Sequence, residues 1–83
     1  MNRYFFHVID GQFLVDEVGT ELPDIGAVRA MAVQASGEIL RDLGMDAWTG
    51  SERQMHVTDE AKHTVLKIRF SAEDFTTPNS VAA

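Results

Sequence analysis

The chain has 83 residues, a formal net charge of −6, no cysteine, and a hydrophobic share of 45%. This length indicates one domain, and a chain so short buries only about 60% of its unfolded surface, so its stability is expected to be modest unless it self-associates. The lack of cysteine excludes disulfides, thiolate metal sites and cysteine nucleophiles. The negative charge disfavours a general nucleic-acid-binding protein.

The N-terminal residues, MNRYFFHVID, lack the apolar run and the small-residue cleavage site that are typical of a signal peptide. No stretch approaches the roughly 20 apolar residues of a membrane span. We therefore expect a cytoplasmic protein that has no membrane partner.

A first β-hairpin is predicted around Asp10-Gly11, a dipeptide that favours a two-residue turn between apolar strands. This register pairs Val8 with Phe13. Because side chains alternate along a strand, the core face would carry Phe6, Val8, Phe13 and Val15. The opposite face would carry Phe5, His7, Ile9, Gln12, Leu14 and Asp16.

One helix is predicted to follow. Gly19 indicates a bulge or bend, Pro23 or Asp24 marks the helix start, and Gly44 marks its end. An apolar stripe at helical spacing joins Ile25, Val28, Met31 or Ala32, Ala35, Ile39 and Leu43. In the connector that follows, Trp48 is expected to cover one end of the core; the alternative is an exposed anchor for a partner or ligand.

A second hairpin is predicted from two alternating segments that place Val57 opposite Leu66. Its core face would carry Met55, Val57, Leu66, Ile68 and Phe70, and its other face Gln54, His56, Thr58, Val65, Lys67 and Arg69. We expect a single domain over residues 1–72, followed by a flexible tail over residues 73–83.

The element order predicts a two-layer β-β-α-β-β fold of the α+β class. A right-handed crossover that skips one strand gives a four-stranded antiparallel sheet of order 2-1-3-4. The single helix covers one face of this sheet.

The N-terminal segment also carries a recognisable motif, RYFFHV, then DG, then DE-x-GTELPD, over residues 3–24. Together with residues 57–60 and 65–70, it resembles a family of small uncharacterised proteins described only as a domain of unknown function. That family is common in alphaproteobacteria of the rhizobial type. The resemblance covers roughly residues 3 to 70 and implies a bacterial cytoplasmic setting, but it implies no activity and no catalytic residue.

The face without the helix is the predicted interface, because an apolar patch on a small protein often marks one. Its candidate residues are Phe5, His7, Ile9, Leu14, His56, Val65, Lys67 and Arg69. We expect a protein–protein association module, a homodimer or an adaptor for another protein. The alternative is a nucleic-acid-linked regulatory module that uses the basic zone around Lys67 and Arg69.

Other chemistry has weaker signals. His7 and His56 fall on neighbouring predicted strands, but a metal site needs at least a third ligand, so no metal is predicted; their protonation would make dimerisation pH-sensitive. The acidic residues Asp16, Glu17, Glu21 and Asp24 do not have EF-hand spacing and fit a solvated edge and a helix start. Without a nucleophile motif or a phosphate loop, we expect neither an enzyme nor a cofactor.

Overall fold

A computed structural model describes residues 1–10, 12–48, 52–73 and 75–76. The chain forms, in order, β1 (Asn2–Ile9), β2 (Phe13–Leu14), β3 (Thr20–Leu22), α1 (Ile25–Leu43), a short 3₁₀ helix (Gly44–Trp48), β4 (Arg53–Thr58) and β5 (Thr64–Phe70). The predicted α+β class is confirmed. Gly11 of the predicted turn lies outside the described residues, as do residues 74 and 77–83 of the predicted tail.

The strands form an antiparallel sheet of order β2-β1-β4-β5, and β3 also pairs with β1. The predicted second strand is therefore divided into two short pieces. β2 pairs with the end of β1, at Val8 and Ile9, whereas β3 pairs with its start, from Asn2 to Tyr4. Apart from this division, the path through the sheet is the predicted 2-1-3-4.

The core lies between α1 and one face of the sheet. Val28 and Ala32 of the helix are completely buried. On the strands, Met55, Val57 and Tyr4 are buried beside them. Each large apolar side chain buried here stabilises the fold by roughly 1.5–3 kcal/mol. The small side chain at position 32 lets the helix approach the sheet closely. No helix within the described ranges is both long enough and apolar enough to span a membrane.

Both ends of α1 are set by their predicted capping residues. The Asp24 carboxylate accepts a 2.8 Å hydrogen bond from the Ala27 amide, which satisfies one of the free donors of the first turn. Gly44 has a φ of 54° and its amide donates to the Leu40 carbonyl. A positive φ is accessible to glycine without steric cost, so Gly44 ends the helix as expected.

The register of the first hairpin differs from the prediction. Ile9 pairs with Phe13 and Val8 with Leu14, so three residues, not two, separate the paired positions. A shift of one residue moves every side chain of a strand to the other face. Phe13 and Val15, predicted in the core, are 62% and 55% exposed. Leu14, predicted on the interface, shares the helix-facing side with Val8.

The second hairpin has the predicted pairing of Val57 with Leu66. An irregularity beside Val57 then pairs Thr58 with Thr64, which leaves Val65 as the additional residue of β5. Val65 packs against the core cluster. Its predicted place on the interface is therefore wrong, because the bulge breaks the alternation from which that place was inferred.

Two large side chains near the connector, Trp48 and Arg53, lie in opposite environments. Trp48 ends the 3₁₀ helix and is 52% exposed, so the prediction that it covers the core is wrong. Arg53, by contrast, is only 6% exposed. As the first residue of β4, it shares the core side with Met55, and its Nε lies 2.9 Å from Asp10 Oδ1. Because Arg53 Nε makes no hydrogen bond of acceptable geometry, this ion pair offsets only part of the cost of burying the cation.

Candidate functional site

The helix-free face is the side of the sheet opposite α1. The register places Phe5 beside Thr58, His7 beside His56, and Ile9 beside Gln54. Lys67 pairs with His56, and Arg69 with Gln54, so both cations extend the same face onto β5. Six of the eight predicted interface residues therefore lie here, and the predicted proximity of the two histidines is confirmed. Leu14 and Val65 are the two that do not.

A groove of about 570 Å³ opens on this face, towards the turn that joins β4 to β5. Four rings line it, those of Phe5, His7, Phe13 and His56. The charged groups around it are Asp16, Glu17, Asp59, Glu60 and Lys62. The groove therefore combines an aromatic lining with an excess of carboxylates.

The rings form a connected strip. Phe5 and His7 stack with centroids 6.5 Å apart and planes 8° apart. His7 and Phe13 are nearly perpendicular, at 86°, with centroids 6.0 Å apart. Contacts of these kinds contribute beyond simple burial. Sequence reasoning missed Phe13 at this site because the two-residue turn placed it on the core side.

Hydrogen bonds specify the protonation state of His7 in this structure. The Asp16 backbone amide donates to Nδ1 at 3.1 Å, and Nε2 lies 3.0 Å from Thr58 Oγ1. A backbone amide can only donate, so Nδ1 is unprotonated and the neutral ring carries its proton on Nε2. Both ring nitrogens are thus occupied, which leaves neither free to bind a metal.

Asp16 is the centre of the loop between β2 and β3. Its carboxylate accepts hydrogen bonds from the amides of Phe6 at 3.1 Å, Val18 at 3.1 Å and Gly19 at 3.0 Å. Partial burial raises the pKa of Asp16, but these three bonds lower that pKa below its ordinary value. Asp16 therefore holds the His7 side of the groove in place.

The same loop passes tightly over β1. Gly19 has a φ of 76°, and a Cβ added there would lie 2.8 Å from both Arg3 Cγ and Phe5 Cε2. Arg3 donates to the Val18 carbonyl at 3.0 Å and lies 3.3 Å from Glu21 Oε1. In this chain the N-terminal motif thus forms a framework that supports the rings.

The acidic cluster considered from the sequence does not form a single site. Asp16 binds backbone amides, Glu21 pairs with Arg3, Asp24 caps the helix, and Glu17 lines the groove. Among the described residues, no group of three or more histidine, aspartate or glutamate side chains is arranged to hold a metal ion.

His56 lies at the middle of the helix-free face. Its Nε2 is 2.8 Å from Gln54 Oε1. Partial burial lowers the pKa of His56, and the nearby charges of Lys67 and Arg69 lower it further. The ring is therefore neutral at neutral pH, so Lys67 and Arg69 supply the positive charge on this part of the face.

Comparison with known proteins gives a family and no activity. Searches of the curated proteins and of the solved structures found no significant match. A family model described as Domain of unknown function (DUF6894) matches residues 3–71, in agreement with the domain of unknown function expected from the motif. Because that match spans well over half of the 83 residues, the chain belongs to the DUF6894 family.

Proposed function

We propose that this protein acts by self-association, as a cytoplasmic homodimer that forms through the helix-free face. The observation that carries the proposal is the ring strip of Phe5, His7 and Phe13, which lies on the side of the sheet opposite α1. Phe13 is 62% exposed, an unfavourable position for a large aromatic side chain in a monomer. Burial of this strip against a second copy would remove it from water.

The polar groups of the strip are compatible with burial. His7 is neutral in this structure, and both of its nitrogens have partners. Removing a neutral, hydrogen-bonded ring from water costs far less than removing a free cation. The face can therefore lose its solvent without leaving a buried charge at its centre.

The alternative, a nucleic-acid-linked module, has less support. Lys67 and Arg69 are exposed on β5, but the adjacent groove has four carboxyl groups and one lysine. Those carboxylates would repel a phosphate backbone that approaches the same face. The proposal requires no catalytic residue and no cofactor.

Replacement of Phe13 by serine tests the proposal. Because the ring is exposed in the monomer, Phe13→Ser leaves the fold intact but removes apolar surface from the interface. We expect the dissociation constant of the dimer to rise by at least about tenfold. Sedimentation equilibrium over a wide concentration range measures it.

The matched control is Val33→Ser, because Val33 is 66% exposed and lies on α1. This variant should dimerise like the wild type. A wild-type protein that stays monomeric at every concentration, or an equal loss of dimer in both variants, would contradict the proposal.

A further inference from the structure

Charge on the helix-free face is separated along the strand direction. The groove is lined by the carboxyl groups of Asp16, Glu17, Asp59 and Glu60 and by one cation, Lys62; Arg3, at the same end, is paired with Glu21. The other end has two exposed cations, Lys67 and Arg69, and one acid, Glu52, which accepts a hydrogen bond from Gln54. One end is therefore acidic and the other basic.

The register gives the distance between the two ends. Three levels succeed one another along the sheet: Thr58 with Thr64, then His56 with Lys67, then Gln54 with Arg69. Neighbouring levels are about 6.6 Å apart, since each residue of a strand advances about 3.3 Å. Arg69 thus lies about 13 Å from the level of Thr64. Within one copy, Arg69 is therefore separated from the level of the groove end.

Symmetry limits how two such faces can meet. A two-fold axis between two facing sheets lies in the plane of their interface. An axis along the strands would place groove against groove and oppose like charges. An axis across the strands reverses the strand direction and places the basic end of each copy over the acidic end of the other. Electrostatic complementarity favours the second arrangement.

We infer that the dimer partner is a second copy in antiparallel orientation, and that Lys67 and Arg69 of each copy bind carboxylates beside the groove of the other. This inference rests on the proposed function. An axis across the strands keeps β5 opposite β5, so the cations meet the turn between β4 and β5. Asp59 there already accepts hydrogen bonds from the amides of Ala61 and His63. Glu60 is exposed, and its carboxylate accepts one longer hydrogen bond, from the Arg3 amide to Oε1 at 3.3 Å, so Glu60 is the main acceptor.

A charge exchange tests this arrangement. Arg69→Glu alone places acid against acid, and Glu60→Arg alone places base against base. Each change should raise the dissociation constant of the dimer by about tenfold or more. The double variant Arg69→Glu, Glu60→Arg restores opposite charges across the interface, and its constant should return to near that of the wild type. Sedimentation equilibrium at low ionic strength gives all four values.

The control exchange uses Arg29 and Glu38, which are exposed on α1. Arg29→Glu and Glu38→Arg change the net charge identically and should leave the constant unchanged. If Phe13→Ser disrupts the dimer but the charge exchange has no effect or no rescue, the proposed function stands and the antiparallel arrangement is wrong. If the wild type is monomeric, both are wrong. An oligolysine peptide that binds such a monomer, and loses affinity with Glu60→Arg, would identify a basic partner instead of a second copy.

Discussion

At the scale of single residues, Asp16 explains why the predicted second strand is divided. Its side chain, not a strand backbone, accepts the hydrogen bond of the Phe6 amide. The chain is thereby released from the sheet between β2 and β3, and the donor on β1 is still satisfied. An aspartate that binds amides further along the chain is typical of turns, but its bond to Phe6 requires two segments that only the fold brings together.

Gly19 provides the first prediction. Gly19→Ala introduces both a left-handed strain and an overlap with Arg3 and Phe5. We expect a loss of about 2–4 kcal/mol in the free energy of unfolding. Urea denaturation measures it. Gly37→Ala is the control: that added Cβ meets nothing within 4 Å, and the change should stabilise the helix by up to about 1 kcal/mol. A loss equal to that of Gly19→Ala in the control would contradict this account.

His56 provides a prediction about pH. Its pKa is lowered in the folded protein, so the unfolded state binds the proton more readily. The contribution of His56 to the free energy of unfolding is therefore fully present above the unfolded pKa of about 6.5. It is lost as the pH falls through the lowered pKa of the folded state. His56→Gln should therefore lose less stability on acidification than the wild type.

The measurement compares the free energies of unfolding of the wild type and His56→Gln above and below a pH of about 6.5. The protein concentration is kept low enough to give monomers. His63→Gln serves as the control, because His63 is exposed in the turn between β4 and β5, and it should retain the decrease seen in the wild type. Equal decreases in the wild type and His56→Gln would show that His56 does not cause the effect.

At the scale of elements, α1 is the part that local signals describe best. Its predicted stripe contains the buried Val28 and Ala32, and its predicted ends carry Asp24 and Gly44. The reason is that caps and helical spacing act over only a few residues. Sequence reasoning can therefore identify them without knowing the sheet.

The N-cap supplies a prediction at this scale. Asp24→Ala removes the acceptor of the Ala27 amide. The variant should lose about 1 kcal/mol of stability, because the Ala27 amide can then donate only to water. Thermal unfolding measures the change. Asp24→Asn is the control, since asparagine caps as well as aspartate. Equal losses in both variants would indicate that charge, not the hydrogen bond, matters at this position.

The two hairpins differ in how well the sequence specifies them. On either side of the bulge the second hairpin alternates, along β4 between buried and partly buried side chains and from Leu66 to Phe70 between partly buried and exposed ones, so any other register would expose its core residues. The first has apolar residues on both faces of β1. Its pattern therefore tolerates either register, and the contact of Phe13 with His7 belongs to only one of them.

At the scale of the whole molecule, β1 and β4 are the central strands and β5 forms one edge of the described sheet. Amides of β1 and β4 should therefore exchange with deuterium most slowly, because they open only when the sheet unfolds. Native-state hydrogen exchange measured by NMR gives the order. Slowest exchange in β5 would indicate that a second copy pairs with its edge, and would contradict association through the helix-free face.

The sequence by itself determined the α+β class, the helix with both of its ends, the strand path and most of the helix-free face. These features depend on periodicity and capping, which act between near neighbours. The tertiary structure alone decided the register of the first hairpin, the division of its second strand, and the burial of Arg53 beside Asp10. It also brought Phe13 and the carboxylates together around the groove. The ion pair and the groove depend on contacts between segments far apart in the chain, which no local pattern encodes. The hairpin register joins near neighbours, but β1 has apolar residues on both faces, so the register depends on which face packs against the core.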